Sequence, residues 1–188
     1  SQSQPILKDT DTICDSCSVL LLVRTVAKDR LGQWSRTLRS NKPGNTTSIS
    51  VDGTVLTGNS NGYNNLSAQG YDGGVGVWTV KLSGSNRMWL GVATADIDLD
   101  AEWGIKNEWS VHLASRTMAM ARQAVARKDG PDTFSVPCTA TVIVDCDNGT
   151  LAIKIGDVDL GVVCSSLPRD HRALHLFVCT GASACSVE

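Results

Sequence analysis

The run from Cys138 to Val163, CTATVIVDCDNGTLAIKIGDVDLGVV, constrains the fold of this chain more than any other stretch. Apolar side chains recur at every second position: Ala140, Val142, Val144 and Cys146, then Leu151, Ile153 and Ile155, then Val158, Leu160 and Val162. Period two marks strands with one buried face. The dipeptides between the runs are Asn148-Gly149 and Gly156-Asp157. Asn-Gly reads as a hairpin turn, and Gly156 supplies the positive φ of a second tight turn. The segment therefore predicts three consecutive antiparallel strands.

Its acidic residues invite two other readings. A calcium loop of the EF-hand type needs glycine at its sixth position and glutamate at its twelfth. Counted from Asp145, those positions hold Thr150 and Gly156, and counted from Asp147 the sixth is Ala152. The flanks are strands, so turn chemistry fits and a metal loop does not. Paired carboxylates for glycoside cleavage require two acids flanking one bond. The chain holds only Glu102, Glu108 and Glu188, with no Glu-x-Asp-x-Glu pattern. Asp96, Asp98 and Asp100 alternate in ADIDLD, directly after a strand, and read as a solvated loop.

The same alternation recurs upstream. VGVWTVKL (75–82) and RMWLGVAT (87–94) read as strands joined at Ser83–Asn86, with Trp78, Val80 and Leu82 sharing one face. Asp52-Gly53, between SISV and TVLT, signals a type I′ hairpin. NKPGNTTS, GNSNGYNN and GYDGG read as turn clusters, and ALHLFVC closes the series as a nearly continuous apolar strand. Short strands at near-regular spacing argue for a two-sheet sandwich. Two segments break the pattern. Leu20, Val23, Ala27 and Leu31 repeat at helical spacing and predict a short helix over Ser16 to Leu31. HLASRTMAMARQAVARK (112–128) is rich in helix formers, and local propensity favours helix there.

At 188 residues the chain has the size of one domain able to bury its own core. Formal net charge is −2, and its longest basic grouping is Arg122, Arg127 and Lys128, which is no footprint for nucleic acid. The longest apolar run, Val19 to Val23, is too short to cross a bilayer, and no signal-peptide pattern is visible. The opening SQSQPILKD reads as that of an excised piece. Seven cysteines, most within apolar strand-like runs, read as buried free thiols, which suits a reducing intracellular setting, cytoplasmic or nuclear. Cys14-x-x-Cys17 is either half of a zinc module or a plain pair at a helix start, since zinc takes four ligands. His112, His171 and His175 accompany no nucleophile signature, and His175 reads as a strand residue on the polar face. The sequons at Asn45, Asn65 and Asn148 are short patterns expected by chance.

Taken together, VWTVKL, RMWLGVATADIDL, NEWSVHL, TVIVDCDNGTLAIKIGDVDLGVVCSSLP and ALHLFVC resemble the motifs of a SPRY (B30.2-like) domain. NTTSISVDGTVLTGNSNGYNNLSAQGYDGG is similar to that family's opening hairpin and following loop. The resemblance spans roughly Trp34 to Glu188 and is most specific over Thr141 to Pro168. It departs from the family where Ile153 and Lys154 replace an aromatic pair, and where His112 and Ala114 stand in place of a second Trp.

The resemblance implies an all-β antiparallel β-sandwich of the concanavalin A-like type over residues 34–188, preceded by a lead and short helix over residues 1–33. It also implies strands over Trp109–Ala114 and Thr117–Gln123, joined at Ser115-Arg116, in place of the helix that propensity favours. The implied function is a non-enzymatic module that binds a peptide or protein through loops at one end of the sandwich. It would be an adaptor in a larger assembly such as a ubiquitin ligase, with no cofactor and no metal. By family position the partner-binding residues are Asp96, Asp98, Trp103, Lys106, His112, Arg116 and Asp157. Trp103, in a polar Gly-containing loop, is either a binding hot spot or a plug tucked against the sandwich. Trp78 and Trp109 are expected in the core. The alternative function is carbohydrate binding or cleavage on the same architecture.

Overall fold

In the computed structural model, residues 33–45, 47–50, 52–58, 63–101, 107–121, 123–127, 129–180 and 183–187 are described. Among them fourteen strands follow in order: β1 (Trp34–Arg39), β2 (Ser48–Ile49), β3 (Val55–Thr57), β4 (Tyr63–Tyr71), β5 (Val75–Gly84), β6 (Met88–Thr94), β7 (Glu108–His112), β8 (Thr117–Met120), β9 (Gln123–Ala126), β10 (Cys138–Asp145), β11 (Thr150–Ile155), β12 (Val158–Cys164), β13 (Leu174–Thr180) and β14 (Ser183–Val187). The expected helix over Ser16 to Leu31 and the Cys14/Cys17 pair lie outside the described residues, as do Trp103 and Lys106.

The strands form two antiparallel sheets of seven. Sheet A runs β1-β4-β13-β6-β7-β8-β9 and sheet B runs β12-β11-β10-β5-β14-β3-β2. Alternation decides what lies between them. Trp78, Val80 and Leu82 of β5, Val142 and Val144 of β10, and Leu151 and Ile153 of β11 face Leu90 and Val92 of β6, Trp109 and Val111 of β7, and Leu176 and Val178 of β13. Both tryptophans expected in the core are there, and the Tyr71 ring meets Trp78 edge-on at 4.9 Å. The alternate residues of sheet A carry a second apolar cluster on its other face. Leu66, Ala93, Phe177 and Cys179 pack there with Ile97 from the loop after β6. With both faces covered, every residue of β13 is buried, which explains its unbroken apolar sequence.

The structure corrects several expectations. Residues 63–71, with their Asn and Gly, form a central strand of sheet A rather than turns. Asn64 and Asn65 are tolerated inside because their amides find backbone acceptors: Asn64 Nδ2 donates to Leu99 O (3.0 Å) and Ala101 O (2.9 Å), and Asn65 Nδ2 donates to Tyr63 O (2.8 Å). The helix favoured by propensity over 112–128 is absent from the described residues. β7, β8 and β9 occupy that segment, with Ala121 at φ 48° breaking the longer strand expected through Gln123. Sheet pairing outweighs the Ala and Met content. At Asp52-Gly53 only the glycine takes positive φ (81°), with Gly53 N donating to Ser50 O, so the loop is wider than a type I′ turn. The β10–β11 connection likewise spans four residues, since Asp145 pairs with Thr150. Gly156, at φ 57°, does make the expected two-residue turn, Ile155 pairing directly with Val158. Beyond it the register slips: Gly161 sits at φ 59°, so Val162 turns outward, 60% exposed, and Cys164 turns inward.

His175 also departs from the expected polar-face position. It is buried (7% exposed), and Nδ1 lies 3.0 Å from Ser67 O, an acceptor that requires the proton on that nitrogen. Burial, partly offset by that hydrogen bond, holds its pKa below the ordinary 6.5. The unfolded chain therefore takes up the proton first on acidification. The full contribution of His175 to stability is present above its ordinary pKa and declines as pH falls below it. His112, also depressed by burial and by Arg87, acts in the same direction.

Two predictions follow from this packing. A Cβ built on Gly91 would meet Trp109 O at 2.0 Å, backbone that cannot swing aside. Gly91→Ala is expected to cost about 3 kcal/mol or more in urea unfolding, whereas an exposed substitution costs about 0.5 kcal/mol or less. Between about pH 7 and pH 5 wild-type stability is expected to fall, and His175→Gln to fall less steeply. Parallel slopes for the two proteins would show that His175 titrates alike in both states.

Candidate functional site

One end of the sandwich gathers loops from both sheets. Tyr71 of β4, Thr94 of β6 and Leu174 of β13 stand in register there, so the segments after β4, after β6 and before β13 leave the frame side by side. Sheet B adds the β10–β11 turn. Asp147 Oδ1 accepts from Gly74 N (3.0 Å), and Gly74 O accepts from Cys146 N (2.9 Å), which joins that turn to the β4–β5 loop. Arg169 Nη2 donates to Asn148 O at 2.5 Å from the β12–β13 loop. Inside the turn Asp145 accepts from Asn148 N (2.9 Å) and Nδ2 (2.8 Å), so the acidic residues here do turn work.

These loops enclose a cleft of about 230 Å³. Asp72 and Asp147 supply negative charge to its lining and Arg169 and Arg172 positive charge, with His171, Pro168 and Cys146 completing it. Burial, reinforced by Asp147, Asp145 and Asp72, pushes the Cys146 thiol up to about 11. At neutral pH it is a protonated wall of the cleft and a poor nucleophile. Arg172 is fixed by Asp170 (2.8 Å) and reaches Asp96 (3.3 Å), which links the cleft to the loop after β6.

That loop is held from several sides. The Thr94 hydroxyl, with Arg172 and Asn107 assisting, keeps the Asp96 carboxyl below its usual range. Asp98 Oδ1 accepts from Asp100 N (3.1 Å), and Asp100 accepts from Ser40 Oγ (2.9 Å) and Asn41 N (2.6 Å). The solvated-loop reading describes their exposure, but Asp96 and Asp100 are also clamps that tie the loop to its neighbours.

Of the other expected residues, the described ones, His112, Arg116 and Asp157, lie at the opposite end. Antiparallel pairing puts Trp89 beside His112 and Ala93 beside Glu108, so β7 carries His112 away from Asp96. His112 leans on Trp89 (ring centroids 4.8 Å apart) and its Nδ1 lies 2.8 Å from Ser115 Oγ. Arg116 donates to Gly130 O (3.0 Å) and pairs with Asp132 (2.5 Å). Gly130 in turn sits against Leu160 and Val158, which places the exposed Asp157 turn at this end too. The expectation of one rim is thus corrected. Asp96 and Asp98 stand at the cleft end, while His112, Arg116 and Asp157 stand at the other. The cleft residues Asp72, Cys146, Asp147, Arg169 and His171 are not among the expected binding residues. Their only sequence signal is a Gly- and Asp-rich loop facing an Asp-rich turn, and the pairing of the two depends on β5 meeting β10.

Compared with known proteins, the sequence matches no family model and no curated protein. Solved structures do match. The SPRY domain of human HERC1 superposes with a TM-score of 0.65 at 13% identity, over 82% of this chain and 96% of that one. The PSpry domain of TRIM65 gives 0.64 at 13% identity, over 83% and 90%. Stonustoxin gives 0.61 at 12% identity over 83% of this chain, which spans 27% of the toxin chain. At such identities the likeness concerns architecture, and it agrees with the strand order and hairpins described above. The fold is that of a SPRY domain: two antiparallel sheets of seven strands packed face to face.

Proposed function

We propose that this chain is a non-enzymatic interaction module that holds a short peptide segment of a partner protein in the cleft beside Asp96. The observation that carries the reading is the cleft itself. Loops from both sheets converge on it, hydrogen bonds between the Asp147 and Arg169 side chains and neighbouring backbone fix them, and its lining combines Asp72 and Asp147 with Arg169 and Arg172. A rigid scaffold presenting loops is a general arrangement for recognition, and a lining of both signs suits a peptide's mixed charges. The protonated Cys146 thiol favours binding over nucleophilic chemistry at this place. Asp96 and Asp98 belong to this site as its flank; His112, Arg116 and Asp157 do not. The wider role, recruitment of the partner to a larger assembly such as a ubiquitin ligase, rests on the resemblance to SPRY domains. An intracellular setting rests on the free thiols of Cys138, Cys146, Cys164 and Cys179.

A synthetic peptide array probed with the purified chain tests the proposal. Peptides retained by wild type are expected to bind roughly tenfold more weakly to Arg169→Ala and to His171→Ala, the loss of about 1–2 kcal/mol that a contact residue carries. Lys154→Ala, exposed on β11 of sheet B, is expected to bind as wild type does. Hits on a glycan array with none on the peptide array would favour the carbohydrate-binding alternative and end the peptide reading.

A further inference from the structure

The two charge signs in the cleft are not equally free. Arg172 is engaged twice, by Asp170 at 2.8 Å and by Asp96 at 3.3 Å. Arg169 lies in the field of Asp145 and donates Nη2 to Asn148 O. Each arginine thus has its charge answered by a carboxylate that does not line the cleft. The lining carboxylates are in the opposite state. Asp147 gives Oδ1 to Gly74 N (3.0 Å) and keeps Oδ2, whereas Asp72 keeps both oxygens, among the described residues. No described cation pairs with either.

The space beside these two carboxylates is fixed in place. Asp72 comes from the β4–β5 loop and Asp147 from the β10–β11 turn, and the bonds of Gly74 to Asp147 and Cys146 lock the two segments together. The adjoining wall is neutral: burial first, then Asp147, Asp145 and Asp72, keep the Cys146 thiol protonated. Three carboxylates thus act on one sulfur at the cleft wall. At about 230 Å³ the space equals several waters of about 30 Å³ each, room for one long side chain. It is not a metal centre, since among the described residues no three His, Cys, Asp or Glu side chains are grouped to ligate an ion.

We propose that the cleft is a cation pocket, which anchors a bound peptide by one arginine or lysine side chain held between Asp72 and Asp147. The assignment rests on the peptide reading above and adds the chemistry of the anchor. A guanidinium or ammonium here makes charge-assisted hydrogen bonds to carboxylates that have no other cation. An acidic side chain meets the reverse. It faces the same two carboxylates, and each arginine within the lining is already drawn to Asp170, Asp96 or Asp145. Arg169 then contributes as a brace, since its bond to Asn148 O holds the turn that carries Asp147.

The probes are N-acetyl-arginine methylamide and its lysine, citrulline and glutamate counterparts, followed by amide shifts in the NMR spectrum of the full chain. The arginine and lysine compounds are expected to shift Gly73, Gly74, Asp147 and Asn148 saturably, with a Kd of about 1 mM. Citrulline, the neutral copy of arginine, and glutamate are expected to bind about tenfold more weakly or not at all, and salt is expected to shrink the difference. Asp72→Asn breaks no hydrogen bond and Asp147→Asn keeps an acceptor for Gly74 N, so both variants are expected to fold and to weaken the arginine compound about fivefold or more. Asp157→Asn, an exposed carboxylate at the opposite end, is expected to bind as wild type does. In the peptides retained on the array, exchange of one basic residue for citrulline is expected to lower binding about tenfold. Retained peptides that bind without any basic residue would overturn the cation pocket and leave the peptide site standing. Shifts by the arginine compound with no peptide retained would support the pocket and end the peptide reading. Equal shifts from citrulline, shifts confined to other parts of the chain, or wild-type affinity in both Asn variants would each overturn the proposal.

Discussion

Everything else in the molecule hangs on the ladder between β5 and β10, in which Val75 to Leu82 pair with Asp145 to Cys138 without a break. The two strands are distant in sequence, yet each inner residue of one stands beside an inner residue of the other: Trp78 beside Val142, Val80 beside Ala140. A slip of β10 by one position against β5 would bring Thr141, Ile143 and Asp145 inside in place of Ala140, Val142 and Val144. The hydrophobic free energy of the core therefore enforces the register. That register in turn fixes where the Asp72–Gly74 loop meets the Asp147 turn.

The cleft end is organised by short polar side chains that bind backbone. Asn64 reaches from the middle of sheet A to the carbonyls of Leu99 and Ala101, Asp100 reaches back to Ser40 and Asn41, and Asp147 holds Gly74. Such contacts leave the outward side chains of the loops unconstrained in chemistry while restricting their backbone. At the opposite end Arg116 and the buried Arg127 perform the same service for the segment between β9 and β10, through Gly130 O and Pro131 O. The sandwich thus has two separately braced ends, and antiparallel connectivity puts successive hairpins at alternate ones. Residues close in sequence, such as Asp96 and His112, are for that reason far apart in space.

How much of this the sequence displays depends on whether the information is local. The strands β5, β6, β10, β11 and β13 are legible because alternation with one buried face needs no knowledge of partners. β4 is hidden, because Asn64 and Asn65 look like turn residues until the loop carbonyl that accepts from Asn64 is known. β8 and β9 are hidden by their Ala and Met content; resemblance to a known pattern of motifs brings out β8, whereas β9, beyond the break at Ala121, is not anticipated at all. The cleft is hidden more deeply, since it exists only where a long-range ladder brings two Asp-bearing turns together. His175 is misplaced for a related reason: with both faces of sheet A covered, alternation in β13 no longer distinguishes inside from outside.

The buried thiols give this architecture an internal clock. Cys179, pushed up to about 12 chiefly by burial, lies beneath the loop that Asn64 and Asp100 hold down, and Cys146 closes the cleft. Only thiolate reacts with an alkylating reagent, and neither sulfur holds much of it while the surrounding chain stays shut. The rate at which each is modified at neutral pH then counts how often its own neighbourhood opens: the outer layer of sheet A for Cys179, the loop end for Cys146. One sandwich carries two independent recorders of its breathing.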